Sequence, residues 1–128
     1  MDVLHKIFSF EVDVTPTHPT VDYLVEDWKA RNYCNPPYSI IWPFFRKALL
    51  ETSQRESFVV MLLPDWKDQY SIRLAKNHLQ YYRFSYKLTF RGYKRPAEFN
   101  SLLIFVETRS AKIILANILA LRNYSTLD

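Results

Sequence analysis

Asn35-Pro36-Pro37-Tyr38 puts a polar amide, two prolines and an aromatic ring in four consecutive residues. Rigid and polar residues are costly between a strand and a helix unless the turn has work to do. Asn35 offers a side-chain carbonyl and Pro36 a main-chain carbonyl, so the turn carries two hydrogen-bond acceptors. Prolines fix the backbone, which aims both acceptors in advance and leaves little reorganisation for the moment of reaction. Tyr38 adds a flat face on which a planar group can stack.

Other residue types set limits on the chemistry. The chain has one glycine in 128 residues. Loops that cradle phosphates or dinucleotides need several glycines, so neither a P-loop nor GxGxxG can be built. His5, His18 and His78 do not form a metal-ligand pattern, and no metal is expected. Cys34 has no second cysteine to pair with and no flanking histidine. It reads as a small core residue in a reducing compartment. Arg83, Lys87, Arg91, Lys94 and Arg95 are interleaved with Tyr and Phe around the lone Gly92. That pattern suits a nucleic-acid backbone track or a solvated strand face. Net charge is +4, which fits a nucleic-acid partner equally well as an ordinary basic surface.

The elements that must hold the turn follow from periodicity. Ile7–Val14 alternates and predicts a strand, and the proline-rich TPTHPT after it a loop. Tyr23–Arg31 predicts a short helical turn, and Asn32–Cys34 a brief strand leading into the Asn35 turn. Ile40–Ser53 predicts a helix whose regular part begins near Trp42, because Pro43 is tolerated only in a first turn. Phe58–Leu63 is continuously apolar, as in a strand buried on both faces. Asp68–Asn77 predicts a second short helix. Leu79–Phe90 predicts an aromatic-rich β segment, with Gly92 in the turn beyond it. Ser101–Val106 predicts another buried strand. Ser110–Arg122 predicts an amphipathic helix with Ala111, Ile114, Leu115, Ile118 and Leu121 on one side. There is no internal repeat and no low-complexity segment. The N-terminal MDVLHKIF predicts no signal peptide, and no apolar run reaches a membrane span.

Strands alternating with helices argue for α/β layering, in which ligands bind beyond the carboxyl ends of strands. Asn35–Tyr38 would lie at that edge, and Leu63-Pro64-Asp65 would be a neighbouring loop on it.

Several stretches then resemble one family in its own order. Asn35–Tyr38 resembles motif IV of the amino-methyltransferases. Phe8–Val14 (FSFEVDV) is similar to the FxFDLDV strand of the phage-type, Dam-like DNA N6-adenine methyltransferases. Asp22–Trp28 (DYLVEDW) resembles the DxLxxDW ahead of NPPYS. Val59–Pro64 resembles the strand after the motif IV helix. Lys87–Gly92 resembles RLxFxG, and Pro96–Phe105 the closing PxxFxSxLIF strand. The resemblance covers roughly residues 8–106. Two departures, a short lead before the first strand and few residues between Asp13 and Asp22, make the cofactor-binding half read as shortened.

The resemblance implies a three-layer, Rossmann-like α/β methyltransferase sheet in a single domain spanning residues 1–128, with 110–122 outside the match. It implies S-adenosylmethionine as methyl donor, adenine in DNA as acceptor, and a cytoplasmic protein, of the host cell if virus-encoded. Asn35, Pro36, Pro37 and Tyr38 would be catalytic: the two carbonyls would take the protons of the adenine amine, and a flipped base would stack on the tyrosine. Asp13 and Asp22 would contact the cofactor; for Asp22 a solvated loop acid is the competing reading. Arg83, Lys87, Arg91, Lys94 and Arg95 would contact DNA. The alternative is a degenerate methyltransferase fold kept as a nucleic-acid- or partner-binding module. Glutamine or guanine methylation fits the later strands less well, and an NPxY docking peptide is at odds with the apolar flank Ile40–Phe45. The stripe of Ser110–Arg122 would be buried either on the chain's own sheet or in a homodimer.

Overall fold

The apolar run predicted to be buried on both faces forms β3 (Phe58–Pro64), the middle strand of a five-stranded mixed sheet. The computed structural model describes residues 2–90 and 92–126, with side chains for 4–90 and 92–120. β3 runs parallel to β2 (Arg31–Cys34), pairing Asn32 with Val59 and Cys34 with Met61. On its other side it runs antiparallel to β5 (Ser101–Glu107) over its whole length. β1 (Val12–Asp13) flanks β2, β4 (Gln80–Arg83) flanks β5, and the order is β1-β2-β3-β5-β4.

Alternation along β3 and β5 divides the core in two. Val59, Met61, Leu63, Leu102, Ile104 and Val106 point into the larger cluster. There they meet α2 (Ile41–Gln54) through Phe45, Ala48 and Leu49, α3 (Tyr70–His78) through Ile72 and Ala75, and α4 (Thr108–Thr126) through Ala111 and Ile114. On the opposite face Tyr33, Val60 and Leu103 pack with Phe10, and α1 (Asp2–Phe8) adds Leu4 and Phe8. Each such side chain contributes about 1.5–3 kcal/mol when fully buried.

The chain is α/β, as its pattern predicts, but three elements differ. The strand expected over Ile7–Val14 is helical to Phe8, bends at Ser9 with φ 51°, and joins the ladder only at Val12–Asp13. β2 offers four residues, so little backbone is available for a longer partner; Glu11 and Val14 add one N–H bond each, to the carbonyls of Arg31 and Tyr33. Phe8 and Phe10 satisfy their apolar surface by stacking on each other at 5.6 Å. Between Tyr23 and Arg31 the helical turn is a single loop in which the Asp22 carbonyl accepts from the N–H groups of Val25 and Glu26. The β segment expected over Leu79–Phe90 stops at Arg83, because its partner β5 begins at Ser101. Residues 84–100, of which 91 lies outside the described set, include no further strand or helix among those described.

The longer helical predictions fare better. Pro43 is the third residue of α2, inside the first turn, where its missing N–H has no intrahelical partner to lose. Along α4, Ala111 and Ile114 are buried in the main core and Leu115 and Ile118 pack against it. The stripe is therefore covered by the chain's own core; the side chain of Leu121 lies outside the described residues.

Candidate functional site

β2 ends at Cys34 and the next four residues leave the sheet at the carboxyl edge of its parallel strands. The Asn35 N–H donates to Thr15 Oγ1 at 2.7 Å. Thr15 is in turn held by Asp13, whose Oδ1 accepts from the Thr15 N–H at 2.9 Å and from its hydroxyl at 3.1 Å. The Asn35 side chain is half-buried and has no hydrogen-bond partner among the described residues. The Pro37 carbonyl accepts from the Ile40 N–H at 3.0 Å, which starts a 3-10 turn over Tyr38–Ile40 that runs into α2.

Tyr38 is 45 % exposed and sits among aromatic rings. Its ring meets Trp66 at 5.2 Å and Phe99 at 5.3 Å between centroids, both edge-on. Trp66 and Phe99 meet each other at 5.7 Å. Partial burial raises the pKa of the Tyr38 hydroxyl, and the neighbouring Tyr93 adds to the rise.

The loop bearing Trp66 is anchored through the residue before it. Asp65 donates its N–H to the Asn100 carbonyl at 2.8 Å. Its side chain is 1 % exposed and lies 2.6 Å from Lys76 Nζ on α3 and 2.7 Å from Arg83 Nε on β4. Burial pushes this carboxyl upward, but the hydrogen bonds and charges of Lys76 and Arg83 outweigh it and hold it below the usual range. One carboxylate thus ties together the loop after β3, α3 and β4.

Two clefts open at this edge. The larger, about 800 Å³, has Asn35, Pro36, Pro37 and Tyr38 along one side and Phe90, Tyr93, Lys94 and Arg95 along the other. The smaller, about 650 Å³, is lined by Thr15, Thr17, Thr20, Asp22, Tyr23 and Phe44, among others. Asn35 and Pro37 line both, so the two spaces meet at the start of the turn.

The family model for DNA N-6-adenine-methyltransferase (Dam) matches residues 16–86, more than half of the chain. The chain belongs to the Dam family. No curated protein and no solved structure matches it. The Dam match takes in Asp22, the Asn35–Tyr38 turn, Asp65 and Trp66; the wall of the larger cleft formed by Phe90 and Tyr93–Glu98 lies beyond it.

The residues singled out from the sequence of this Dam-family chain are only partly gathered. Asn35, Pro36, Pro37 and Tyr38 stand together at the meeting of the clefts, and Asp22 lines the smaller one. Asp22 also closes its own loop, its Oδ1 accepting from the Leu24 N–H at 3.0 Å. Asp13 lines neither cleft; it pairs across the ladder with Tyr33 and holds Thr15. Lys94 and Arg95 line the larger cleft, opposite Asn35. Arg83 is engaged with Asp65, Lys87 is exposed away from both clefts, and Arg91 lies outside the described residues.

Sequence reasoning missed Thr15, Trp66 and Phe99, and gave Asp65 no role beyond its place in the loop beside the turn. Trp66 carried a signal, since it directly follows Leu63-Pro64-Asp65 on that edge. Thr15 carried none beyond its position after Asp13. Among the described residues no three His, Cys, Asp or Glu side chains are placed to hold a metal ion, and no helix is long and apolar enough to cross a membrane.

Proposed function

We propose that this chain transfers a methyl group from S-adenosylmethionine to the N6 amine of adenine in DNA. The observation that carries the reading is the meeting of two clefts at Asn35 and Pro37 in a Dam-family chain. A group transfer between two substrates needs two binding spaces with one shared point, and that point bears the acceptor-rich turn.

The exocyclic amine of adenine is a poor nucleophile because its lone pair is delocalised into the ring. Asn35 and the Pro36 carbonyl would accept its two N–H bonds, returning the lone pair to nitrogen and holding the protons as that nitrogen becomes tetrahedral. Tyr38 would carry the flipped base on its ring. Lys94 and Arg95 would take backbone phosphates at the rim, with Lys87 further along the track.

The smaller cleft fits the donor chemically. Hydroxyls of Thr15, Thr17 and Thr20 and the Asp22 carboxylate suit ribose hydroxyls and an ammonium, while Tyr23 and Phe44 offer apolar surface to a purine. Bound there, S-adenosylmethionine supplies an electrophilic methyl on a sulfonium. We read the sheet as a Rossmann-like methyltransferase sheet within one domain: β1, β2 and β3 run parallel, β5 lies antiparallel beside β3, and helices lie on both faces. Assembly through α4 would have to use its outer side, where Ile113 and Leu119 are exposed.

The test is incubation with methyl-tritiated S-adenosylmethionine and unmethylated DNA, followed by nucleoside mass spectrometry. Label in N6-methyladenine, lost in Asn35→Ala, supports the reading. Label in cytosine, or none, overturns it. One observation favours a second reading, a binding module without transfer: Asp13 does not line the donor cleft. Calorimetry with S-adenosylmethionine separates the two, since a binding module of that kind takes up DNA but no donor.

A further inference from the structure

We infer that Thr15 is a positioning residue for Asn35, holding it between the two clefts through a relay that begins at Asp13; this role rests on the methyl-transfer reading above. The ladder between β1 and β2 makes its last backbone bond from the Val14 N–H to the Tyr33 carbonyl at 2.9 Å. One step further the Asn35 N–H donates to the Thr15 hydroxyl at 2.7 Å instead of to a carbonyl. A side chain thus continues the sheet at the point where the backbone leaves it.

The direction of the relay is fixed by proton count. A threonine hydroxyl has one proton and two lone pairs. The Asn35 N–H can only donate and so takes a lone pair, which leaves the hydroxyl proton for Asp13 Oδ1, 3.1 Å away. The carboxylate also takes the Thr15 N–H at 2.9 Å, which fixes the hydroxyl's own backbone. Each bond in such a chain polarises the next.

What this holds is the origin of the Asn35 side chain. That side chain has no partner of its own among the described residues, so its aim depends on the backbone that carries it. Thr15 also lines the smaller cleft, while Asn35 lines both. The relay therefore links the wall of the donor space to the group that would orient the acceptor amine. It also gives Asp13 a role that does not require it to reach the cofactor.

Two readouts on the full chain test this. The first is amide hydrogen exchange in 15N-labelled protein. Thr15→Val, nearly the same shape without the hydroxyl, should speed exchange at Asn35 while Val60 in β3 stays protected; Thr15→Ser should keep Asn35 protected. The second is single-turnover methyl transfer at saturating DNA and donor. Thr15→Val should be slowed by up to about 100-fold, the cost of a small misplacement of a reacting group. KM for DNA should not move, Thr15→Ser should restore most of the rate, and Asp13→Asn should fall between. Unchanged Asn35 exchange in Thr15→Val overturns the relay. Normal turnover in that variant, or a loss confined to KM, overturns the positioning role. A wild type that protects Asn35 but moves no methyl to adenine overturns the functional reading, and the positioning role with it, while the hydrogen bond stands.

Discussion

Tyr38 stands edge-on to Phe99, with ring centroids 5.3 Å apart and planes at 88°. One ring comes from the turn after β2, the other from the segment entering β5. Phe99 also meets Phe90 at 6.3 Å, and Phe90 lines the far side of the larger cleft. Aromatic packing therefore joins the two walls of the space proposed to hold the base. Edge-to-face pairs contribute about 0.5–1.5 kcal/mol beyond area burial.

Removing the ring that would stack gives the first prediction. Tyr38→Ala should weaken DNA binding by about 1–3 kcal/mol, the usual contribution of a base–aromatic stack. The measurement is a titration with DNA carrying 2-aminopurine at the target adenine, whose fluorescence rises on unstacking. Unchanged affinity together with an unchanged signal would show that Tyr38 serves only as packing for Trp66 and Phe99.

Asn35→Ala should leave the fold intact and slow transfer. Its side chain makes no hydrogen bond among the described residues, so truncation breaks nothing structural, and the Thr15 bond uses its main chain. Loss of one preorganised group of this kind typically raises a barrier by about 2.7–4 kcal/mol. Single-turnover rates and thermal denaturation, measured together, check both halves. A variant with full activity would reduce the Asn35 turn to a structural device.

Two buried carboxylates predict an acid limit to stability. Asp65 faces Lys76 and Arg83, and Glu51 faces Lys47 and Arg55 at 2.9 Å each. Desolvation pushes both carboxyls upward, but their cationic partners outweigh it, so both lie below their usual range. A folded pKa below the unfolded value gives stability that is complete above the unfolded value and is lost as pH falls through the folded one. The unfolded values are about 3.9 for Asp and 4.3 for Glu. The urea midpoint should therefore be level near neutrality and fall below about pH 4. Asp65→Asn should be less stable at neutral pH and show a shallower acid fall. An equally steep fall in that variant would remove Asp65 from the account.

The sequence made the centre of the sheet legible and its edges less so. Phe58–Leu63 and Ser101–Val106 are apolar at every step or nearly so, and only a strand covered on both faces suits them. Ile7–Val14 and Leu79–Phe90 alternate just as well, yet each pairs over a short stretch, because strand length there is set by the neighbour and not by the segment itself. The position of the Asn35 turn at the carboxyl edge of the parallel strands was legible, since a strand ends directly before it and a helix follows. Its surroundings were not. Thr15 matters through one hydroxyl 2.7 Å from a backbone N–H, and no composition or period records that. Arg83 reads like its basic neighbours until Asp65, a residue of another loop, is found beside it.

That last difference separates the basic residues by experiment. Lys94 and Arg95 are exposed on the wall of the larger cleft, where a DNA backbone would pass. Arg83 is 46 % exposed but engaged at 2.7 Å with a carboxylate that is 1 % exposed. Each phosphate neutralised on duplex DNA contributes about 0.9 to the slope of log K against log salt. Lys94→Ala and Arg95→Ala should each weaken binding at low salt and reduce that slope by about this amount, with the urea midpoint unchanged. Arg83→Ala should do the reverse. It leaves Asp65 with Lys76 alone, and losing one partner of a buried ion pair costs up to about 3 kcal/mol when that partner is half in water. Its salt slope should match the wild type. A reduced slope in Arg83→Ala with stability intact would return Arg83 to the DNA track, and would mean that the Asp65 pair opens when DNA binds.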